Sequence, residues 1–137
     1  MNEMLNAYRE NSVANAEYSD PHRLISMLFD GAAEYLMRAI GHTERGEVAR
    51  KGECLGRVVS IIDTLDASLD HGAGDGSIAA NLASLYDYMQ RRLTEANFEN
   101  DAAKMREVHG LITEIRDGWN AIPPEARAQA ASGNDAS

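Results

Sequence analysis

Residues 19–40 read SDPHRLISMLFDGAAEYLMRAI, and this stretch decides the class of fold. Ser19-Asp20-Pro21 supplies N-cap residue types followed by proline at the first helical position, where its missing N–H costs nothing. A helix is predicted from about Pro21. At about 100° per residue, Leu24, Ile25, Leu28, Phe29, Ala32, Tyr35, Leu36, Ala39 and Ile40 cover an arc of roughly 160°, and the segment 41–46, bounded by Gly41 and Gly46, ends it. That arc is wide for a helix with one face in water.

Working outward, residues 47–70 carry Val48, Cys54, Leu55, Val58, Val59, Ile61, Ile62, Leu65 and Leu69 over another arc of roughly 160°. The run 71–76, with Gly72, Gly74 and Gly76, reads as a flexible turn. A third helix over 77–97 has a narrower stripe of roughly 100°, made by Ile78, Leu82, Leu85, Tyr86, Met89, Leu93 and Ala96, with Tyr88 off it. Asn100-Asp101 caps a fourth, whose Met105, Val108, Leu111, Ile112, Ile115, Trp119 and Ile122 hold roughly 120° until Pro123-Pro124 stops it. Pro21, Pro123 and Pro124 are the 3 prolines of the chain, so none interrupts a helix. Short linkers make successive helices antiparallel. The expectation is an all-α, antiparallel up-down four-helix bundle over 19–124. Residues 1–18, with Met4, Leu5 and Tyr8, are expected to form a short N-terminal helix or arm, and 125–137 a disordered tail.

The chain has 137 residues, 44% hydrophobic and 26% charged, as for one globular domain. Its formal charge of -9 repels phosphate backbones and anionic headgroups, which argues against nucleic acid and membrane surfaces as partners. No apolar run approaches the roughly 18 residues of a spanning helix, and Met1-Asn2-Glu3 does not open like a signal peptide. Cys54 stands alone, so no internal disulfide is expected, and a reducing cytoplasm is the expected compartment.

Chemical centres are not expected either. No Glu-x-x-His pattern occurs, and His22, His42, His71 and His109 are scattered over helix starts, loops and a stripe edge, so no metal is expected. The glycines at 72, 74 and 76 follow a helix and lack the lysine of a phosphate loop. Cys54 lies in an apolar arc and reads as a buried thiol, and no Gly-x-Ser-x-Gly elbow is present. Neither a catalytic residue nor a cofactor is expected.

A bundle helix needs an inward stripe of only about 100°, and the first two helices carry more. Each single residue could be side-facing core. Taken as a set, Leu55, Val59 and Ile62, with Ile25, Met27 and Phe29 opposite, are expected to line an apolar groove. In water such a groove must be covered by a partner helix, a homodimer or the chain's own arm. Trp119, Leu65 and Leu85, near the centres of their stripes, are expected to be structural. The Tyr86, Tyr88 and Arg92 edge fits a peptide anchor and ordinary exposed helix ion pairs equally well.

Ser19-Asp20-Pro21-His22-Arg23-Leu24-Ile25, running into Met27-Leu28-Phe29-Asp30-Gly31-Ala32, resembles the opening of the flagellin export chaperones called FliS. Lys51-Gly52-Glu53, Ile61-Ile62-Asp63 and Leu65 are similar to the family's second helix, and Leu85-Tyr86-Asp87-Tyr88-Met89 with Arg91-Arg92-Leu93 and Ala96-Asn97 to its third. Asn100-Asp101, Glu107-Val108, Gly110-Leu111 and Trp119 resemble the last helix. The resemblance implies a cytoplasmic helical bundle that binds the disordered C-terminal segment of flagellin, prevents premature polymerisation and escorts it to the flagellar type III export gate. It further implies an N-terminal segment lying over part of the binding surface, with Ala7-Tyr8 and Ser12-Val13 matching that motif, so Leu5, Tyr8 and Val13 are the expected lid. Some family members also meet an anti-sigma factor or another flagellar regulator. The competing expectation is a homodimeric helical structural or regulatory module without flagellin cargo.

Overall fold

In the computed structural model the residues described are 20–123. The expected arm over 1–18, with Leu5, Tyr8 and Val13, and the expected tail over 125–137 lie outside them. Among the described residues four helices follow one another: α1 Pro21–Glu44, α2 Val48–Ala67, α3 Ser77–Glu99 and α4 Ala102–Asn120. The all-α bundle read from the apolar periodicity is what forms.

Local chemistry sets the helix starts. Asp20 is extended, and its Oδ1 accepts from the N–H groups of His22 and Arg23 at 3.0 and 3.4 Å. Asp101 does the same for Ala103 and Lys104 at 2.9 and 3.2 Å. Both carboxylates satisfy donors that a helix leaves unpaired in its first turn.

One helix end falls inside the segment expected to hold it, and one stops short. α1 runs through Gly41 to Glu44, since one glycine inside a helix costs only about 1 kcal/mol; the chain turns at Gly46, φ 72°, with the Arg45 N–H closing on Gly41 and His42 carbonyls. α2 stops at Ala67, short of residue 70. There the Ser68 hydroxyl donates to the Thr64 carbonyl and Asp70 Oδ1 accepts the Gly72 N–H, so side-chain bonds replace further helix bonds.

Long-range bonds fix how the helices pair. Glu44 at the end of α1 meets Arg106 near the start of α4, while His22 at the start of α1 meets Trp119 at the end of α4. Lys51 on the first turn of α2 reaches the last turn of α3, donating to the Asn97 carbonyl at 2.8 Å and Asn100 Oδ1 at 2.5 Å. A buried ammonium needs such acceptors, and the carbonyl end of a helix dipole favours it. Asn100 holds φ 54°, a left-handed helix cap that asparagine tolerates.

α1 packs most extensively, against α2 and then α4, whereas α3 touches α2 and α4 more lightly. Ala32 and Ala39, both fully buried, let the neighbours approach α1 closely. Leu28, Leu36, Val58, Ile61, Ile62, Met89, Leu93, Met105, Val108 and Ile112 fill the centre. Val48 and Ile78 were expected in their stripes but are 59% and 76% exposed. Each occupies the first turn of its helix, and Ala79 rather than Ile78 takes the inward position on α3.

Leu36→Ala should destabilise the bundle by about 2–5 kcal/mol, because Leu36 is fully buried at the centre of α1 and its removal leaves a cavity. Urea denaturation checks this; a wild-type midpoint would contradict the packing described.

Candidate functional site

The clasp between α1 and α4 builds one wall of the site. His22 Nε2 donates to the Trp119 carbonyl at 2.8 Å, and Trp119 Nε1–H donates back to the His22 carbonyl at 2.9 Å. The two rings stack at 4.6 Å between centroids with only 10° between planes. One turn further along α1 and one residue further along α4, Ser26 Oγ donates to Asn120 Oδ1 at 2.7 Å, so this end of the bundle is tied at three points. Because a carbonyl can only accept, His22 carries its proton on Nε2.

Beside this clasp an open apolar cavity of about 540 Å³ lies where α1 starts, α2 ends, α3 starts and α4 ends. The buried side chains of Phe29, Leu65, Ala79 and Tyr86 form its floor. Half-buried Ile25, Leu69, Leu82, Ile115 and Trp119 form its walls, with exposed Ile78 on the rim. Its volume is that of a ligand-sized cleft, and its lining is mostly hydrocarbon and aromatic, with Ser68, Asp70 and Asp75 along the loop side. Burial pushes the Tyr86 phenol up to about 12, so it stays neutral at the groove floor.

The loop 68–76 closes one side of the groove with little bulk. Asp75 Oδ1 accepts the Ser77 N–H at 2.9 Å, and this bond with the Ser77 side chain holds the Asp75 carboxyl below its ordinary value. Gly76 has φ 81°, and a Cβ there would lie 2.9 Å from the His71 carbonyl oxygen, so only glycine fits the turn. Asp70 also borders the groove: its Oδ1 accepts the Gly72 N–H at 2.8 Å, while its Oδ2 is buried with no hydrogen-bond partner.

Of the residues expected at the groove, Ile25 and Phe29 come together in this cavity, joined by Tyr86 from the edge read as a peptide anchor. Leu55 and Ile62, at 3% and 0% exposure, are instead enclosed in the α1–α2 core, where the most extensive helix packing uses up their surface. Val59 packs half-buried against that core, and Met27 is half-buried on α1; neither borders the cavity. Leu65 and Trp119, expected to be structural, serve the core and the groove at once.

Tyr88 and Arg92 sit on a different face. Both donate to Glu107 across the α3–α4 seam, Arg92 at 2.7 Å, and Arg92 also reaches Glu95 at 3.1 Å. Lys104 extends this network to Glu99 at 2.8 Å. The hydrogen bond from Tyr88, then that from Arg92, holds the Glu107 carboxyl below its ordinary value. Cys54 is buried, which raises its thiol, against the direction a nucleophile requires.

Sequence reasoning missed Leu69, Leu82, Ile115 and Ile122 as groove residues, and it placed Ile78 in the core. The available signal was the loop: 72–76 holds three glycines and one alanine but no bulky side chain, so nothing there can roof the apolar ends of the helices.

The fold and site define an all-helical binding module, a bundle with an apolar groove open at one end. Residues 1–126 match the family described as flagellar protein FliS, and the chain belongs to that family. The flagellar secretion chaperone FliS of Salmonella typhimurium is 49% identical over 127 residues, covering 91% of this chain and 93% of that protein. The flagellar secretion chaperone FliSB of Pseudomonas aeruginosa is 40% identical over 116 residues, 84% of this chain and 91% of its own. FliS of Bacillus subtilis is 35% identical over 128 residues, with 93% and 92% covered. The strings at 19–32 and 85–93 thus pointed to the right family.

A pH prediction follows from Glu107. Its lowered folded pKa means that its contribution to stability is present above the ordinary value of 4.5 and is lost as pH falls through the folded value. Glu107→Gln should therefore lower the urea midpoint at pH 7, and the gap to wild type should narrow below about pH 4.5. A gap independent of pH would contradict the ionic reading of the seam.

Proposed function

We propose that this chain is a flagellar secretion chaperone that holds the disordered C-terminal segment of flagellin in the cytoplasm, prevents its premature polymerisation and delivers it to the flagellar export gate. The observation that carries this reading is the open groove walled by Ile25, Leu82, Ile115 and Trp119 over Phe29 and Tyr86, in a chain that belongs to the FliS family. A disordered segment with an amphipathic helical stretch buries its apolar side chains there and pays its ordering entropy on binding. The acidic surface keeps the loaded complex soluble.

The footprint extends beyond the groove in this reading. Met27, Val59 and the Tyr88–Arg92 edge make outer contacts, while Leu55 and Ile62 support the groove from within. The arm with Leu5, Tyr8 and Val13 covers apolar surface in the empty chaperone and yields to cargo. An anti-sigma factor or another flagellar regulator is a further partner of the same module.

Co-purification with full-length flagellin and with flagellin lacking its C-terminal segment tests the reading. Capture of the first alone is expected; capture of neither, with a concentration-dependent dimer in sedimentation, would favour the homodimeric module instead. Deleting residues 1–11 should leave flagellin affinity within about fivefold of wild type, since an arm held by about 1 kcal/mol masks the groove only that much. Calorimetry decides it, and a tenfold or greater loss would make the arm a direct cargo contact.

A further inference from the structure

Asp70 is the one place where the groove border carries an unmet polar demand. Its Oδ1 is fixed by the Gly72 N–H at 2.8 Å, while its Oδ2 is the one buried side-chain oxygen or nitrogen among the described residues that lacks a hydrogen-bond partner. An unsatisfied buried acceptor is destabilising, so a ligand that supplies the donor recovers that cost on binding. The rest of the groove wall is largely apolar, with Ile25, Leu69, Leu82, Ile115 and Trp119; of its polar members, the Ser68 hydroxyl already donates to the Thr64 carbonyl and Asp75 is a second acceptor, not a donor.

Charge around this oxygen favours a cation as the donor. Asp66 lies four residues before Asp70 in the last turn of α2, and Asp75 lies further along the loop and also borders the groove. Among the described residues no Lys or Arg forms an ion pair with Asp66, Asp70 or Asp75, although Arg92, Lys104, Arg106 and Arg116 all pair elsewhere. Asp70 as a residue is half-buried, and Gly72, Ala73, Gly74 and Asp75 beside it are exposed, with no side chain on Gly72 and Gly74.

We propose that Asp70 is a specificity-determining acceptor in the groove, taking a lysine or arginine side chain that flanks the apolar face of the flagellin segment. This rests on the groove being the cargo site. The apolar walls then supply most of the affinity, and the aspartate selects the register in which a basic residue reaches the loop 68–76. Charge-assisted bonds of this kind discriminate strongly because a mismatched register leaves the oxygen unpaired.

The test uses the full chain and monomeric flagellin. Asp70→Asn keeps the Oδ1 acceptor for Gly72 and replaces Oδ2 with an amide donor, so the thermal melt of the free protein should match or exceed that of wild type. Flagellin binding by calorimetry should weaken roughly ten- to a hundredfold. One Lys→Gln or Arg→Gln change in the C-terminal segment of flagellin should reproduce the loss, with no further loss against D70N. Leu82→Asp serves as the control for the groove itself. If L82D abolishes binding while D70N binds as wild type, the groove stands and the role of Asp70 is overturned. If D70N weakens binding but no basic residue couples to it, the cationic partner is overturned. Wild-type binding by both variants overturns the groove and the inference together.

Discussion

His22 and Trp119 bond to each other's backbone carbonyls across 97 positions of chain, and the end of the bundle that carries the groove depends on that reciprocal pair. The Trp119 carbonyl is among the last of α4, where a helix runs out of internal donors, and His22 lies in the first turn of α1. One stacked pair thereby ties a helix start to a helix end through His22 Nε2 and the indole N–H. What remains of the indole is hydrocarbon, and it borders the groove.

The groove itself is a consequence of unequal packing. α1 contributes closely spaced alanines and packs heavily on α2 and α4, which commits Leu55 and Ile62 to the core. α3 packs more lightly, begins with exposed Ile78, and follows a loop in which Leu69 is the one bulky apolar side chain. Apolar surface at that end has no roof supplied by the described residues. A fully buried groove would cost a chaperone its cargo, and a fully exposed one would invite self-association; a floor of core residues with half-buried walls lies between these limits.

Features governed by neighbours in sequence were legible before the structure. The Asp20 and Asp101 caps, the four apolar stripes and the glycine turn before α3 all depend on residues within a few positions, and they formed as read except that Val48 and Ile78 left their stripes for solvent. Stripe width also announced surplus apolar surface, and two of the six residues expected to line it, Ile25 and Phe29, border the groove. Its location was not legible, because width on a helical wheel says nothing about position along the axis. Leu55 and Leu69 share an arc, yet one is enclosed by α1 and the other stands at the open end. The His22–Trp119 clasp and the Lys51 bonds to α3 were equally hidden, since each joins residues far apart in the chain whose types carry no pairing signal.

The central claim is that cargo occupies the groove at this end of the bundle. Hydrogen–deuterium exchange of the chain with and without monomeric flagellin tests it most directly, since exchange reads local opening segment by segment. The account predicts new protection at 25–29, across 65–86 and at 115–122, with little change at the opposite end. Protection confined to the α1–α2 seam around 55–62, or to the far end around Phe98, with the groove unaltered, would contradict it.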